Sequence, residues 1–432
     1  MRSSSLPVVL GLVASCAFAQ APAPMPSLSP AWQAQWALRM RSQSGAALPS
    51  SPAPGWRFLT GQTEIPPASD GTRLVVVQAN PKKVVALDPG TGRPLWEVPF
   101  TGLLDAPPQL VGDAVIFALD GGRLVVLDGA SGALRHLLRL PPWDAGRDGG
   151  PSLRPRVLFP AAVGRTLVVA WHAPSADLRP EHGVYAFDLA TGASRWTAAL
   201  PGPSDLHPLI LGDRVLLGGG GQLTMLDLET GTPVWNARLP VKGTFESCQY
   251  LEGRLFLRAS QDLLALDPVT GRVLWSQKAP GSTLLIGAGD RILFTAPRGA
   301  FTLTEWVVAF NARTGEKAWE WEASEVRLPW VHQGRVIFNS KNELLALDLA
   351  TGTPVWRREL GGALTLPLHV QAEAVLALHR AKGGLRLTAF RTSDGTEAWS
   401  APVKDKVGTG LLLTGPKEVL LPLPEGGLMG LR

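Results

Sequence analysis

The chain has 432 residues, 45% of them hydrophobic and 18% charged, with a formal net charge of +5 and 47 glycines beside 38 prolines. That apolar content supports a substantial core, and abundant glycine and proline without a collagen period suits many tight turns. The mild basicity comes without a long Lys/Arg run, which argues against nucleic acid as a partner.

Residues 1–19 read as an export signal: Arg2, an apolar stretch from Leu6 to Val13, then Ala17-Phe-Ala19 before Gln20, the small-residue pattern of a signal-peptide cut. Val13-Ala-Ser-Cys16 also fits a bacterial lipobox, in which Cys16 would be lipidated and become the mature N-terminus. Both readings export the chain, and no later stretch is long and apolar enough to span a membrane. After processing, Cys248 is the one certain cysteine, which excludes an internal disulfide and a thiolate-built metal site. Residues 20–55, rich in Pro, Ala and Ser, are expected to be a linker. Trp32, Trp36 and Met40 fall on one face of a helical pattern there, which fits either a tether with incidental tryptophans or a small docking helix.

From residue 56 onward one pattern repeats. An Asp is followed by a Gly and then a Trp at fixed offsets in Asp88/Gly92/Trp96, Asp188/Gly192/Trp196, Asp227/Gly231/Trp235, Asp267/Gly271/Trp275 and Asp348/Gly352/Trp356. Three more copies are degenerate: Asp128/Gly132 has His136 in the Trp slot, Asn311 precedes Gly315/Trp319, and Arg391 precedes Gly395/Trp399. Most neighbours are spaced by roughly forty residues, the period of a propeller or solenoid. Between Asp128 and Asp188 the interval is about half as long again, which marks an insertion.

Each unit predicts a four-stranded antiparallel meander. In residues 207–239 the strands begin at Pro208, Arg214, Leu223 and Pro233, separated by Gly212-Asp213, by Gly218–Gln222 and by the Asp227–Gly231 corner. Second strands such as "LVVV" at 74–77 and "VIFAL" at 115–119 are continuous apolar runs, as expected of strands covered on both faces. At the corner, Asp accepts hydrogen bonds from N–H groups just ahead and Gly supplies a positive φ. The Trp that follows offers a flat ring to stack on the Gly peptide and cover the seam to the next blade. The corners are expected to be structural and roughly equivalent.

The corner "A-L-D-x-x-T-G-x-x-x-W" resembles the tryptophan-docking motif of the pyrroloquinoline quinone (PQQ)-type propellers, over roughly residues 56–432. The resemblance implies an all-β propeller of eight blades, whereas a literal count of units gives nine. The last unit, Gly410–Leu431, has three strands and no corner, and Trp56-Arg-Phe-Leu59 is expected to supply its outer strand and close the ring. Among such propellers, quinoprotein dehydrogenases bind PQQ and calcium, and resemblance to them would imply a vicinal Cys-Cys pair and a carboxylate set. This chain has no Cys-Cys, and Asp144–Gly149 lacks two of the ligand positions of a calcium loop. The seven histidines show no metal-binding spacing.

The chain is more similar to the non-catalytic BamB family of outer-membrane assembly lipoproteins. That resemblance implies an exported scaffold without cofactor or metal, at the periplasm or the periplasmic face of the outer membrane of a Gram-negative bacterium. Its partner would be a protein, an outer-membrane β-barrel insertase, with a monomer expected. A dehydrogenase-like enzyme and a small-ligand binder are the alternatives.

The insertion falls in two places, Leu140–Gly150 between blades and His172–Gly183 within the following blade. In a meander both emerge on the face opposite the corners. They carry Trp143, Arg147, Arg179 and His182, with Arg139, Arg154 and Arg156 nearby. Trp and Arg dominate interface energetics, so these residues form the expected partner patch. Cys248 is expected on an inner strand as a small buried hydrophobe.

Overall fold

The repeat folds as nine four-stranded antiparallel sheets in a computed structural model. The structure describes residues 54–60, 67–140, 156–173, 181–202, 204, 206, 208–241, 245–259, 261–280, 285–297, 304–326, 329–371, 373–408, 413–414, 419–424 and 427–431. The predicted signal, Cys16 and the expected linker up to residue 53 lie outside them. Numbered in chain order, blades 1 to 8 cover residues 68–99, 104–139, 156–199, 209–238, 245–278, 286–324, 330–359 and 369–403. Blade 9 joins the C-terminal strands to the N-terminal strand Pro54–Leu59.

Blade 4 shows the unit. Leu209–Leu211, Arg214–Gly219, Gln222–Asp227 and Pro233–Arg238 pair in that order from the channel outward. Second strands are buried on both faces, as in Ala114–Leu119, where all six residues are buried. Outer strands such as Pro94–Pro99 alternate between buried and exposed positions, because water reaches their outer face. The core is a set of seams between blades rather than one central mass. One cluster joins Val75 and Val84 of blade 1 to Phe117 and Leu127 of blade 2, and another joins Leu74 and Val76 to Leu420 and Leu428 of blade 9.

The corner motif fixes each seam. Asp227 Oδ1 accepts hydrogen bonds from Glu229 N at 3.1 Å and Thr230 N at 2.8 Å, and Gly231, at φ 71°, turns the chain back. That glycine is stacked by the tryptophan of the preceding blade. A Cβ on Gly231 would lie 2.4 Å from the Trp196 ring, so a side chain there is excluded by packing as well as by conformation. Trp196 Nε1 donates to Leu228 O at 2.9 Å, the carbonyl just after the corner Asp. The ring therefore docks on the next blade's glycine. Across its own sheet Trp196 faces Ala186 and Trp356 faces Ala346, small residues that leave room for an indole.

The three residues that the sequence groups as one corner are thus divided between two seams. Stacking within a single Asp/Gly/Trp set, as the sequence suggests, gives way to stacking one blade ahead. The reason is geometric: the outer strand carries its indole away from the corner that precedes it and toward the neighbouring blade. Trp96 stacks on Gly132 and donates to Gly129 O at 2.9 Å, leaving its own Gly92 to another ring. Trp235 stacks on Gly271 and donates to Pro268 O at 3.0 Å, while Trp275 stacks on Gly315 and donates to Ala312 O at 3.2 Å. Trp319 stacks on Gly352 and donates to Leu349 O at 2.9 Å, and Trp356 stacks on Gly395 and donates to Thr392 O at 3.0 Å. The expected equivalence of the corners also needs one adjustment. Trp96, Trp196, Trp319 and Trp356 are buried, whereas Trp235 and Trp275 are half-buried.

Eight seams carry this dock. His136, degenerate in sequence, stacks on Gly192 with Nε2 3.1 Å from Leu189 O, in the same place as an indole N–H. Trp56 stacks on Gly92 and donates to Pro89 O at 3.0 Å, a role the sequence reading did not give it. The seam from blade 8 to blade 9 is different. Blade 9 has no corner, because its last two strands come from opposite ends of the chain, and half-buried Trp399 packs among Val419, Leu421 and Leu431 instead.

The eight-blade count implied by resemblance gives way to nine. The C-terminal unit forms a complete blade because Pro54–Leu59 pairs antiparallel with Gly427–Leu431, as the expected closure required.

Replacing Trp356 by Ala removes a buried ring and an interblade hydrogen bond, and should cost about 3–5 kcal/mol in chemical denaturation. Trp399→Ala removes a ring that lacks that bond and should cost less by about 1 kcal/mol. Equal losses would refute the docking account. A second expectation concerns acid. Backbone and hydroxyl hydrogen bonds from Thr351 hold the Asp348 carboxyl below its ordinary 3.8. The stability it contributes is complete above that value and is lost as pH falls through the lower folded value. Asn311 keeps the same turn without a charge, accepting from Arg313 N and Thr314 N at 2.9 and 3.0 Å. Asp348→Asn should therefore keep the fold and flatten the acid limb of a stability-versus-pH curve.

Candidate functional site

The rim opposite the corners is where the expected partner patch falls, at blades 2 and 3. Blade 3 has longer strands than blade 4: Arg156–Val163, Thr166–Ala173 and Glu181–Asp188 have eight residues each, against six in Arg214–Gly219. The second and third strands therefore project further at this rim. An aromatic ladder stiffens the projection, with Trp171 and Tyr185 centroids 6.3 Å apart and Tyr185 stacked on Phe187 at 5.9 Å. Gly183, directly across from Trp171, leaves room for the indole, since a Cβ there would sit 2.8 Å from its Nε1.

Register brings two patch positions, Arg156 and His182, together across His172. Arg156 pairs with His172, which pairs in turn with His182, so the three lie in line across the sheet. Arg139 is exposed at the end of the outer strand of blade 2, paired across with Arg123. Arg123 itself is held by Asp120 Oδ1 at 2.6 Å, which leaves Arg139 the outward cation of that pair. Trp143, Arg147, Arg154 and Arg179 lie outside the described residues. His172 and His182 share one side of the sheet with Ala170 and Val184, which pack in the seam with blade 4. Burial first, and the neighbouring His172 second, hold His182 below its ordinary 6.5.

Two buried polar groups gave no signal in the sequence. Arg258 has no exposed side-chain surface; its Nε donates to Glu246 Oε2 at 2.7 Å, and its guanidinium lies 5.3 Å from the Phe294 ring centroid in blade 6. In blade 8, His379 Nε2 lies 3.0 Å from Thr388 Oγ1, which meets Ser400 Oγ at 2.9 Å. Both sit in apolar strand patterns that a period-two reading assigns to packing. Cys248 lies on the channel-side strand Phe245–Leu251, as expected, but is half-buried rather than buried, and desolvation still pushes its thiol up to about 12. Among the described residues no three His, Cys, Asp or Glu side chains gather as a metal-ligand set.

Nine blades, with a ring-on-glycine dock at eight of their seams, define a PQQ-type β-propeller. The family model described as outer membrane protein assembly factor BamB matches residues 30–176, 180–320 and 303–432, and the chain belongs to that family. It is 25% identical over 251 residues to outer membrane protein assembly factor BamB of Burkholderia pseudomallei, a match that covers 49% of this chain and 60% of that protein. Of solved structures, BamB from Moraxella catarrhalis is similar at 19% identity and a TM-score of 0.52, covering 79% of this chain and 99% of that one. Quinohemoprotein alcohol dehydrogenase from Comamonas testosteroni superposes at 13% identity and a TM-score of 0.49, covering 90% and 77% of the two chains.

The facing histidines give a pH test. A histidine held low in the folded state stabilises fully above the ordinary value of 6.5 and loses that contribution as pH falls below it. Amide exchange in Thr166–Ala173 and Glu181–Asp188, corrected for its intrinsic pH dependence, should accelerate below that value. His182→Gln should remove most of the acceleration, and its persistence would rule this pair out as the source.

Proposed function

We propose that the chain is an exported, non-catalytic scaffold that holds a protein partner in outer-membrane β-barrel assembly, at the periplasmic face of the outer membrane. Membership of the BamB family carries this reading. The sequence of residues 1–19 supports export, and Cys16 offers a site for a lipid anchor. A catalytic role has less support. Cys248 is the only cysteine besides Cys16, so the vicinal pair implied for quinoprotein dehydrogenases has no counterpart.

The partner surface in this reading is the rim at blades 2 and 3. Exposed Arg139, the position of Arg156 and half-buried His182 border the two connections that carry Trp143, Arg147, Arg154 and Arg179. Arginine and tryptophan side chains concentrate binding energy when a partner desolvates them. An acidic protein surface, such as that of a β-barrel insertase, suits their charge. The eight corner docks lie on the other face and are assigned to structure.

Cross-linked membrane extracts should yield an insertase with the wild-type chain. Shortening both connections to two-residue turns should abolish that capture while the β-rich circular dichroism spectrum stays intact. Undiminished capture by a folded, shortened chain would remove blade 3 as the contact and leave the scaffold reading standing. Capture of no barrel-assembly component at all would count against the function itself.

A further inference from the structure

Blade 8 carries a different feature on the same rim, four blades from blade 3 in one direction and five in the other. Its second and third strands, Ala374–Ala381 and Gly384–Arg391, are joined through Lys382 and Gly383, and its outer strand Glu397–Val403 runs into Lys404-Asp405-Lys406. Arg380, Lys382, Lys404 and Lys406 are all exposed, and none makes an ion pair or side-chain hydrogen bond among the described residues.

Register places them together. Arg380 pairs with Leu385, and Leu385 pairs with Val403, so the ends of three strands lie side by side. With strands about 4.8 Å apart, the four cations share a patch on the order of 15 Å across. Half-buried Arg386 adds a fifth charge, its Nε fixed by Ser400 Oγ at 2.9 Å. The carboxylate within this stretch, Asp405, is taken up by Arg57 of blade 9. The turn is also bare: Gly383 and Gly384, at φ 98° and 131°, have nothing within 4 Å of where a Cβ would stand. A bulky anion approaching here meets open space ringed by cations.

The chemistry of the patch selects its ligand. Protein partners are held by aromatic or apolar anchors in a dry centre, and among the described residues no large exposed hydrophobic falls within residues 369–408. A lipid surface rich in phosphate needs only flexible, unpaired cations, because its headgroups move to meet them. We propose that this rim of blade 8 is an electrostatic contact for anionic phospholipid headgroups. It is separate from the blade 3 surface, so a protein held there leaves it open.

Vesicle flotation with the full chain carrying Cys16→Ser, which prevents acylation, tests this. The readout is the bound fraction on phosphatidylglycerol-containing vesicles relative to pure phosphatidylcholine vesicles, since an apolar N-terminus contributes to both. The chain should prefer the anionic vesicles, and added salt should erase the preference. The combined variant Arg380→Gln, Lys382→Gln, Lys404→Gln and Lys406→Gln should keep its melting temperature and lose the preference by at least about 100-fold. If that variant does not fold, Lys404→Gln with Lys406→Gln, outside the strands, should lose about 30-fold. Equal binding to both vesicles, or a preference unchanged in a folded variant, overturns the proposal. So does tighter binding of polyglutamate than of vesicles, which assigns the patch to an acidic protein. A saturable thermal shift with inorganic phosphate alone, lost in the variant while flotation is unchanged, overturns it in favour of a small-anion site.

Discussion

An indole lying on a glycine of the next blade is the interaction on which this molecule depends. A single blade satisfies the backbone hydrogen bonds of its middle strands but buries neither of its faces by itself; both need a neighbour, so the seams must be made together or not at all. The dock supplies direction as well as area. Trp196 Nε1 reaches Leu228 O at 2.9 Å only when the corner of blade 4 is already turned, and the stacked ring forbids a side chain on Gly231. Corner, ring and seam thus specify one another, which is why the same residues return with each blade.

Substitutions within the motif show which part of it is physical necessity. His136 keeps the flat ring and the hydrogen-bonding N–H, and the seam survives. Asn311 keeps the acceptor without the charge, and the turn survives. Arg391 keeps neither; Asp394 instead closes a smaller turn by accepting from Thr396 N at 2.8 Å, and Trp356 still reaches Thr392 O at 3.0 Å. The glycine is never replaced in the eight corners, because both its φ and its contact exclude a side chain.

The all-β class, the four-stranded meander worked out on residues 207–239 and the closure by Trp56-Arg-Phe-Leu59 were legible in the sequence because they follow from local periodicity and turn chemistry. Which glycine each ring covers was not, since Trp235 stands four residues after Gly231 in the chain yet meets Gly271 in space. The blade total was legible in the literal count of units, since Gly410–Leu431 closed by Trp56-Arg-Phe-Leu59 makes the ninth, whereas the eight implied by resemblance did not hold. The docking role of Trp56 left no mark in the sequence, since no Asp and Gly of a corner stand before it. Arg258 and His379 look like interruptions of apolar strands, and their partners lie across the sheet or in the next blade. At the rim proposed for a partner, the sequence grouped Arg156 and His182 in one expected surface, and register aligns them through His172. The blade 8 cations are spread over residues 380–406 and make no run, so only the meander gathers them.

Closure by both chain ends also gives the ring a mechanical polarity. A force applied to the residue before Pro54 enters the propeller through one strand pair, Pro54–Leu59 against Gly427–Leu431. Along the strand axis it shears five registered positions at once and meets high resistance; perpendicular to the axis it peels them one after another. The same strand holds Trp56 on blade 1 and Arg57 on Asp405 of the blade 8 to blade 9 connection, so peeling it loosens both sides of blade 9 in one motion. The seam toward blade 8, which has no docked indole among the described residues, is then the line along which the circle parts.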